Sequence, residues 1–312
     1  MNIIVFPGQG SQKVGMSKDL FDNFSLVKNL FQEAEDISKL PLTKIIFNGP
    51  DSNLQATNVS QVAIMLSSIS TLRVLEETFG KKISEFSSLV AGHSLGEYTA
   101  LVASGALSFA DAVSLLKTRG EAMASACPSG GAMLAIIGIE DINTINEIAN
   151  KASSNGLVCE IANDNAKGQV ILSGNKESLE VAAKLAKEEY KAKLVKFLDV
   201  SGPFHSSLMI TAVEALKDAL NKVNFNSLNI PLITNVTANK LEDVSAIKDL
   251  LLKQITSRVR WRESMMQAVN LGITNLIEVG PNKVLTGLMK RIDNNIKCVN
   301  IENITDIKSF AL

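Results

Sequence analysis

Short runs rich in Val, Ile and Leu alternate along this chain with longer segments of helical periodicity. That alternation restricts the fold more than any other feature. The pattern predicts strands at Ile3–Phe6, Ser88–Ala91, Leu232–Thr234, Asn275–Val279 and Ile296–Ile301. It predicts helices over Leu26–Glu35, Gln61–Phe79, Ala110–Ala124, Leu208–Lys222, Glu263–Leu271 and Lys283–Arg291. Continuously apolar strands must be covered on both faces, which is the condition of a mostly parallel sheet flanked by helices. The chain has 312 residues, 46% of them hydrophobic, enough to bury a large core. The fold class expected is α/β, as one large domain or one plus a smaller unit.

Residues 128–199 follow a different rhythm. Ala132–Ile137 reads as a strand, Asp141–Ala152 as a helix, and Gly156–Ala162 and Gln169–Ser173 as strands around the turn Asp164–Gly168. Lys176–Glu189 reads as a second helix and Lys193–Leu198 as a last strand. The order βαββαβ is that of a ferredoxin-like unit. Turn-rich hinges, Pro128-Ser129-Gly130-Gly131 and Ser201-Gly202-Pro203, bracket it. The expected organisation is a large domain made of 1–127 and 200–312 with a small subdomain, 128–199, inserted into it. A cleft between the two is the natural place for a substrate.

Gly92-His93-Ser94-Leu95-Gly96 carries the clearest chemistry. A Gly-x-Ser-x-Gly sequence between a strand and a helix is a nucleophile elbow, which lifts a serine hydroxyl out of the fold. The preceding Ser87–Ala91 reads as strand and the following Glu97–Ala103 as helix. That context makes the large domain α/β-hydrolase-like. The serine then sits near a helix N-terminus, whose free N–H groups can hold a developing oxyanion.

A nucleophilic serine needs a base. The chain has two histidines, His93 and His205. Adjacent side chains at a strand end point to opposite sides, so His93 is expected to face away from the Ser94 hydroxyl and to be structural. His205 lies in Gly202-Pro203-Phe204-His205-Ser206-Ser207, at the exit of the insert and the start of a helix, and is the expected base. Asp199 is available as an acid, with nothing in the pattern to place it.

Two further segments admit two readings each. Gly8-Gln9-Gly10-Ser11-Gln12 follows the first strand. It lacks the Lys-Ser/Thr ending of a P-loop, leaving either an ordinary turn or half of an oxyanion hole with Gln9 N–H and Leu95 N–H as donors. Arg119 sits late in an apolar helix. It is either a C-terminal cation stabilised by the dipole or a bidentate clamp on a substrate carboxylate.

Composition excludes several classes. The net charge is −1, without the basic excess of a nucleic-acid binder. The three cysteines, Cys127, Cys159 and Cys298, have no CxxC spacing, which argues against a disulfide framework or zinc site and fits a reducing cytoplasm. Met1 runs directly into a core strand, so no signal peptide is expected. No apolar run approaches a membrane span; Ser60–Leu72 reads as a buried helix.

Gly8-Gln9-Gly10-Ser11-Gln12, Gly92–Glu97, Arg119, Phe204-His205-Ser206 and Glu278-Val279-Gly280-Pro281 occur in this order. As a set they closely resemble the malonyl-CoA:acyl carrier protein transacylases of bacterial type II fatty-acid synthesis, and the acyltransferase domains of polyketide synthases. The resemblance runs from the first strand to about Arg291. It implies Ser94 as nucleophile, His205 as general base, Gln9 and Leu95 N–H groups as oxyanion hole, and Arg119 as binder of the malonyl carboxylate. It implies Gln61 as a pocket residue, Phe204 as the malonyl-selecting neighbour of the histidine, and the backbone carbonyl of Gln254 as the group that orients the base. Val62, Arg258 and Asn282 depart from the proline, proline and glycine usual in the family. The resemblance also implies ping-pong transfer to the phosphopantetheine thiol of acyl carrier protein, no metal and no cofactor of the enzyme's own. A cytoplasmic monomer without nucleic-acid or membrane partners is expected. Carrier proteins are acidic, so a basic docking rim is expected, with Arg258, Arg260, Arg262, Lys283 and Lys290 as candidates. The rival activities are a serine esterase or thioesterase, and a non-catalytic carrier-binding module.

Overall fold

The computed structural model describes residues 1–126, 130–154 and 156–311. Cys127 and the Pro128-Ser129 part of the first hinge lie outside the described residues. Strands fall at β1 (Asn2–Phe6), β2 (Leu89–Gly92), β3 (Gly131–Ile137), β4 (Cys159–Ala166), β5 (Gln169–Asn175), β6 (Leu194–Phe197), β7 (Leu232–Ile233), β8 (Asn275–Val279) and β9 (Lys297–Ile301).

Five of these form one sheet in the order β7-β2-β1-β8-β9. Every pairing in it is parallel. The central strand shows why its sequence is unbroken Ile-Ile-Val-Phe. Ile4 and Phe6 face one core, Ile3 and Val5 face a second on the opposite side, and all four are inaccessible to solvent. The first core packs against the long helix Thr57–Phe79, buried on nearly every side, and the helix Phe109–Ser125. The second is closed by Trp261 and Met265 of the helix Trp261–Asn270 and Leu285 of the helix Val284–Ile292.

The other four strands form an antiparallel sheet in the order β4-β5-β3-β6, covered by the helices Ile142–Ala152 and Lys176–Glu188. That is the ferredoxin-like arrangement, with its own core around Leu134, Ile136, Ile145 and Leu172. One expected boundary moves. β4 starts later than predicted and runs on through Asp164-Asn165-Ala166, leaving Lys167-Gly168 as the turn. The polar residues read as a loop stay in the strand because partners outside the sheet satisfy them. Asp164 N–H donates to Val259 O at 3.0 Å and Val259 N–H to Ala162 O at 2.8 Å. The buried Asp164 carboxylate takes Arg262 from Nε at 2.9 Å and from Nη2 at 2.8 Å. These bonds tie the small sheet to the large unit.

Candidate active site

The elbow forms as its glycines require. A Cβ on Gly92 would sit 1.8 Å from Gly96 O, and one on Gly96 would sit 2.3 Å from Phe6 O. Only glycine permits the helix Gly96–Ala103 to start so close to β1 and β2. Between them Ser94 adopts φ 54°, the left-handed conformation of a strained strand-to-helix turn.

His205, 111 residues away in sequence, brings Nε2 to 2.8 Å from Ser94 Oγ. It too has a left-handed backbone, φ 59°. Its Nδ1 lies 2.8 Å from the backbone oxygen of Gln254. Gln254 is in the last turn of the helix Ile247–Thr256, where carbonyls lack intrahelical partners, so that oxygen is free to accept. The imidazole therefore carries its proton on Nδ1 and presents Nε2 to the serine as acceptor. Asp199 makes no hydrogen bond to it. Burial first, and then the Arg119 charge, push the His205 pKa down to about 3, so the ring is neutral.

Arg119 is 1% exposed, and its guanidinium turns towards the serine. This disposes of the reading as a surface helix-end cation. Nη2 donates to Ser94 Oγ at 3.0 Å and to Gln254 Oε1 at 3.0 Å, and Nη1 donates to Gln61 Oε1 at 2.7 Å. The Tyr98 ring stacks 5.5 Å from its centre. Its Nε is buried and has no hydrogen-bond partner among the described residues. Burial lowers the Arg119 pKa. Gln61 is thus placed against Arg119 as a support.

Gln9 lies in the turn after β1 and Leu95 just before the helix Gly96–Ala103. Neither backbone N–H has a hydrogen-bond partner among the described residues. The Ser94 N–H, by contrast, is taken by Asn235 Oδ1 at 2.7 Å. The Gln9 side chain approaches Thr57 Oγ1 at 3.4 Å. His93 turns away from the serine hydroxyl, as expected. Its Nε2 lies 2.8 Å from Asn165 Oδ1 of β4, and its ring tilts over Trp261.

These groups open onto a cleft of about 450 Å³ between the two sheets. Gln9, Ser94, Arg119, Phe204 and His205 line one side, and Met133, Asn163 and Leu198 the other. Phe204 is 5% exposed and forms part of the apolar wall. A second hollow of about 580 Å³, bordered by Leu30, Arg73 and Lys81, holds no serine, cysteine or histidine. No group of residues suited to holding a metal occurs among the described residues.

Sequence reasoning reached the Gln254 carbonyl but not its side chain, nor Asn235, nor a role for Glu97. The Gln254 side chain donates from Nε2 to Glu97 Oε2 at 2.6 Å, besides accepting from Arg119. Asn235 anchors the elbow through Ser94 N–H and through Gly92 O at 2.7 Å. Buried Glu97 also receives the Asn235 N–H at 3.2 Å. Burial raises its pKa to about 7. The only signal was Glu97 itself, within the resembling motif.

The expected basic rim is largely spent on internal pairs. Arg258 and Arg260 both pair with Glu263, and Arg262 with Asp164. Lys283 and Lys290 are exposed, without ion pairs among the described residues. Of the departures from the family pattern, Asn282 has φ 67°, the conformation that explains a glycine there and that asparagine tolerates best after glycine.

Residues 3–305 match the family described as acyl transferase domain. The malonyl CoA-acyl carrier protein transacylase of Bacillus subtilis (strain 168) is 40% identical over 300 residues, covering 96% of this chain and 92% of that protein. The crystal structure of acyl-carrier-protein-S-malonyltransferase from Bartonella henselae superposes with a TM-score of 0.95 at 40% identity, covering 99% of this chain and 97% of that one. A malonyl-transacylase solved in complex with its type II PKS acyl-carrier protein superposes with a TM-score of 0.93 at 36% identity, covering 99% and 98%.

Proposed function

The chain belongs to the acyl transferase domain family, and from that premise we propose that it transfers the malonyl group from malonyl-CoA to the phosphopantetheine thiol of an acyl carrier protein, supplying fatty-acid synthesis. The observation that carries this reading is one hydroxyl, Ser94 Oγ, meeting both a neutral imidazole at 2.8 Å and a buried guanidinium at 3.0 Å.

Ser94 Oγ attacks the thioester carbonyl while its proton passes to His205 Nε2. The new imidazolium is held by the Gln254 carbonyl. The tetrahedral oxyanion takes the N–H groups of Gln9 and Leu95, each typically worth about 3 kcal/mol in such sites. Collapse breaks the carbon–sulfur bond, coenzyme A leaves with the proton from His205, and malonyl remains as an ester on Ser94. The carrier thiol then gives its proton to His205 and attacks that ester. The carbon–oxygen bond breaks, and Ser94 Oγ recovers the proton. Two half-reactions through one ester make the kinetics ping-pong.

Arg119 selects the acyl group. A malonyl carboxylate in this wall of Met and Phe is costly to bury unless a cation meets it. A neutral acyl group leaves the guanidinium buried without a counter-charge.

The acyl group arrives and departs on its carriers' own thiols, so the reading needs no cofactor of the enzyme. It fits a cytoplasmic monomer that engages neither nucleic acid nor membrane. The net charge of −1 lacks the basic excess of a nucleic-acid binder. No helix among the described residues is long and apolar enough to cross a membrane. The test is an assay with malonyl-CoA and holo carrier protein. Transfer to the thiol supports the proposal, and release of malonate to water at an equal rate points to a thioesterase instead.

A further inference from the structure

Acyl transfer as described makes no use of Glu97. Its carboxyl group is 1% exposed and forms no ion pair among the described residues. Burying such a group is costly unless its oxygens are hydrogen-bonded, so its partners are informative. Oε2 accepts from Gln254 Nε2 at 2.6 Å and from Asn235 N–H at 3.2 Å.

Gln254 is the hub of the site. Its backbone oxygen meets His205 Nδ1, and its side-chain oxygen receives Arg119 Nη2. The two ends of a glutamine amide are nearly the same size, and only the partners decide which end faces which way. If the amide rotated, Nε2 would face a guanidinium that can only donate. Three acceptors hold Nε2 on the other side: Glu97 Oε2 at 2.6 Å, Ser94 O at 3.1 Å and Asn235 Oδ1 at 3.3 Å. The Glu97 contact is the shortest. In its ionised form, which prevails above its raised pKa of about 7, the carboxyl has no donor and cannot present the wrong end.

We propose that Glu97 is a positioning residue for malonyl selection: it fixes the orientation of the Gln254 amide, and the amide fixes the Arg119 guanidinium where the acyl carboxylate must meet it. Arg119 holds its place by two amide oxygens, those of Gln61 and Gln254, and Glu97 secures the second. Removing that acceptor leaves Ser94 and His205 in place but releases one of the two supports of the clamp.

The inference rests on malonyl transfer through Ser94. It is tested by the ratio of kcat/KM for malonyl-CoA to that for acetyl-CoA in Glu97→Met and Glu97→Gln. Methionine keeps the volume and replaces the carboxylate oxygen by a thioether sulfur, a far weaker acceptor; glutamine keeps an acceptor oxygen. The expected result is a fall in the ratio of about tenfold in Glu97→Met, with the ratio restored in Glu97→Gln. A ratio is independent of how much enzyme folds, so a destabilised variant still reports. Should Glu97→Met yield no folded protein, Glu97→Asp, which withdraws the oxygen by one methylene, is expected to lower the ratio in the same sense. An unchanged ratio in the methionine or shortened variant, with both substrates slowed equally, overturns the inference. If the unsubstituted protein transfers no malonyl, the functional reading fails instead.

Discussion

Arg119 Nη2 donates to Ser94 Oγ at 3.0 Å, so a buried cation rests against the nucleophile with no carboxylate among the described residues paired to it. That arrangement favours the serine alkoxide and leaves a charge that substrate can neutralise. Arg119→Ala is expected to lower kcat/KM for malonyl-CoA by about a hundredfold or more, the scale of losing one partner of a buried charge pair. Transfer of acetyl relative to malonyl is expected to rise. Competition between the two thioesters measures both; unchanged malonyl kinetics would refute the clamp.

His205 makes stability fall on the acid side. Its pKa is pushed down to about 3 in the folded protein from 6.5. Between those values the unfolded chain binds more protons than the native one, so stability is lost as pH falls through that window. Glu97 acts in the opposite sense: raised from 4.5 to about 7, it costs stability as pH rises between those values. Urea unfolding at a series of pH values is expected to show a weaker loss below 6.5 in His205→Ala than in the parent. Identical slopes would show that His205 is not held neutral by the fold.

The elbow, the parallel sheet and the ferredoxin-like order were legible because their signals are local. Gly92 and Gly96 mark a turn by their spacing between an apolar strand and a helical run, and β1 announces two-sided burial by its unbroken Ile3–Phe6. His205 was found by counting histidines. Gln254, Asn235 and Glu97 were not legible as a network. An amide looks the same in sequence whether it faces water or a guanidinium, and a glutamate in a first helical turn is ordinary dipole chemistry. The helix Ile247–Thr256 was not anticipated either, although its last turn supplies the carbonyl that orients the base. β4 outruns its sequence signal because the partners that keep its polar end in the sheet come from Val259, Arg262 and His93, distant in the chain.

Gly92→Ala and Gly96→Ala are expected to destabilise the protein by at least about 3 kcal/mol each, since the added Cβ meets rigid backbone. Chemical denaturation measures this. A loss below about 1 kcal/mol, the size of a simple propensity change, would mean that the elbow relaxes freely.

Arg262→Ala leaves the buried Asp164 carboxylate without its bidentate partner. Allowing for the partial exposure of Arg262, the expected loss is about 2 kcal/mol. Protease sensitivity should rise around the junction of β4 with Val259. Unaltered stability and unaltered digestion would show that this pair does not hold the two sheets together.

Mass spectrometry of the protein mixed with malonyl-CoA tests the central claim most directly. The account predicts one malonyl ester, mapped to Ser94, absent from Ser94→Ala and discharged by holo acyl carrier protein. An adduct that persists in Ser94→Ala, or no adduct on folded protein that still transfers malonyl, would contradict it.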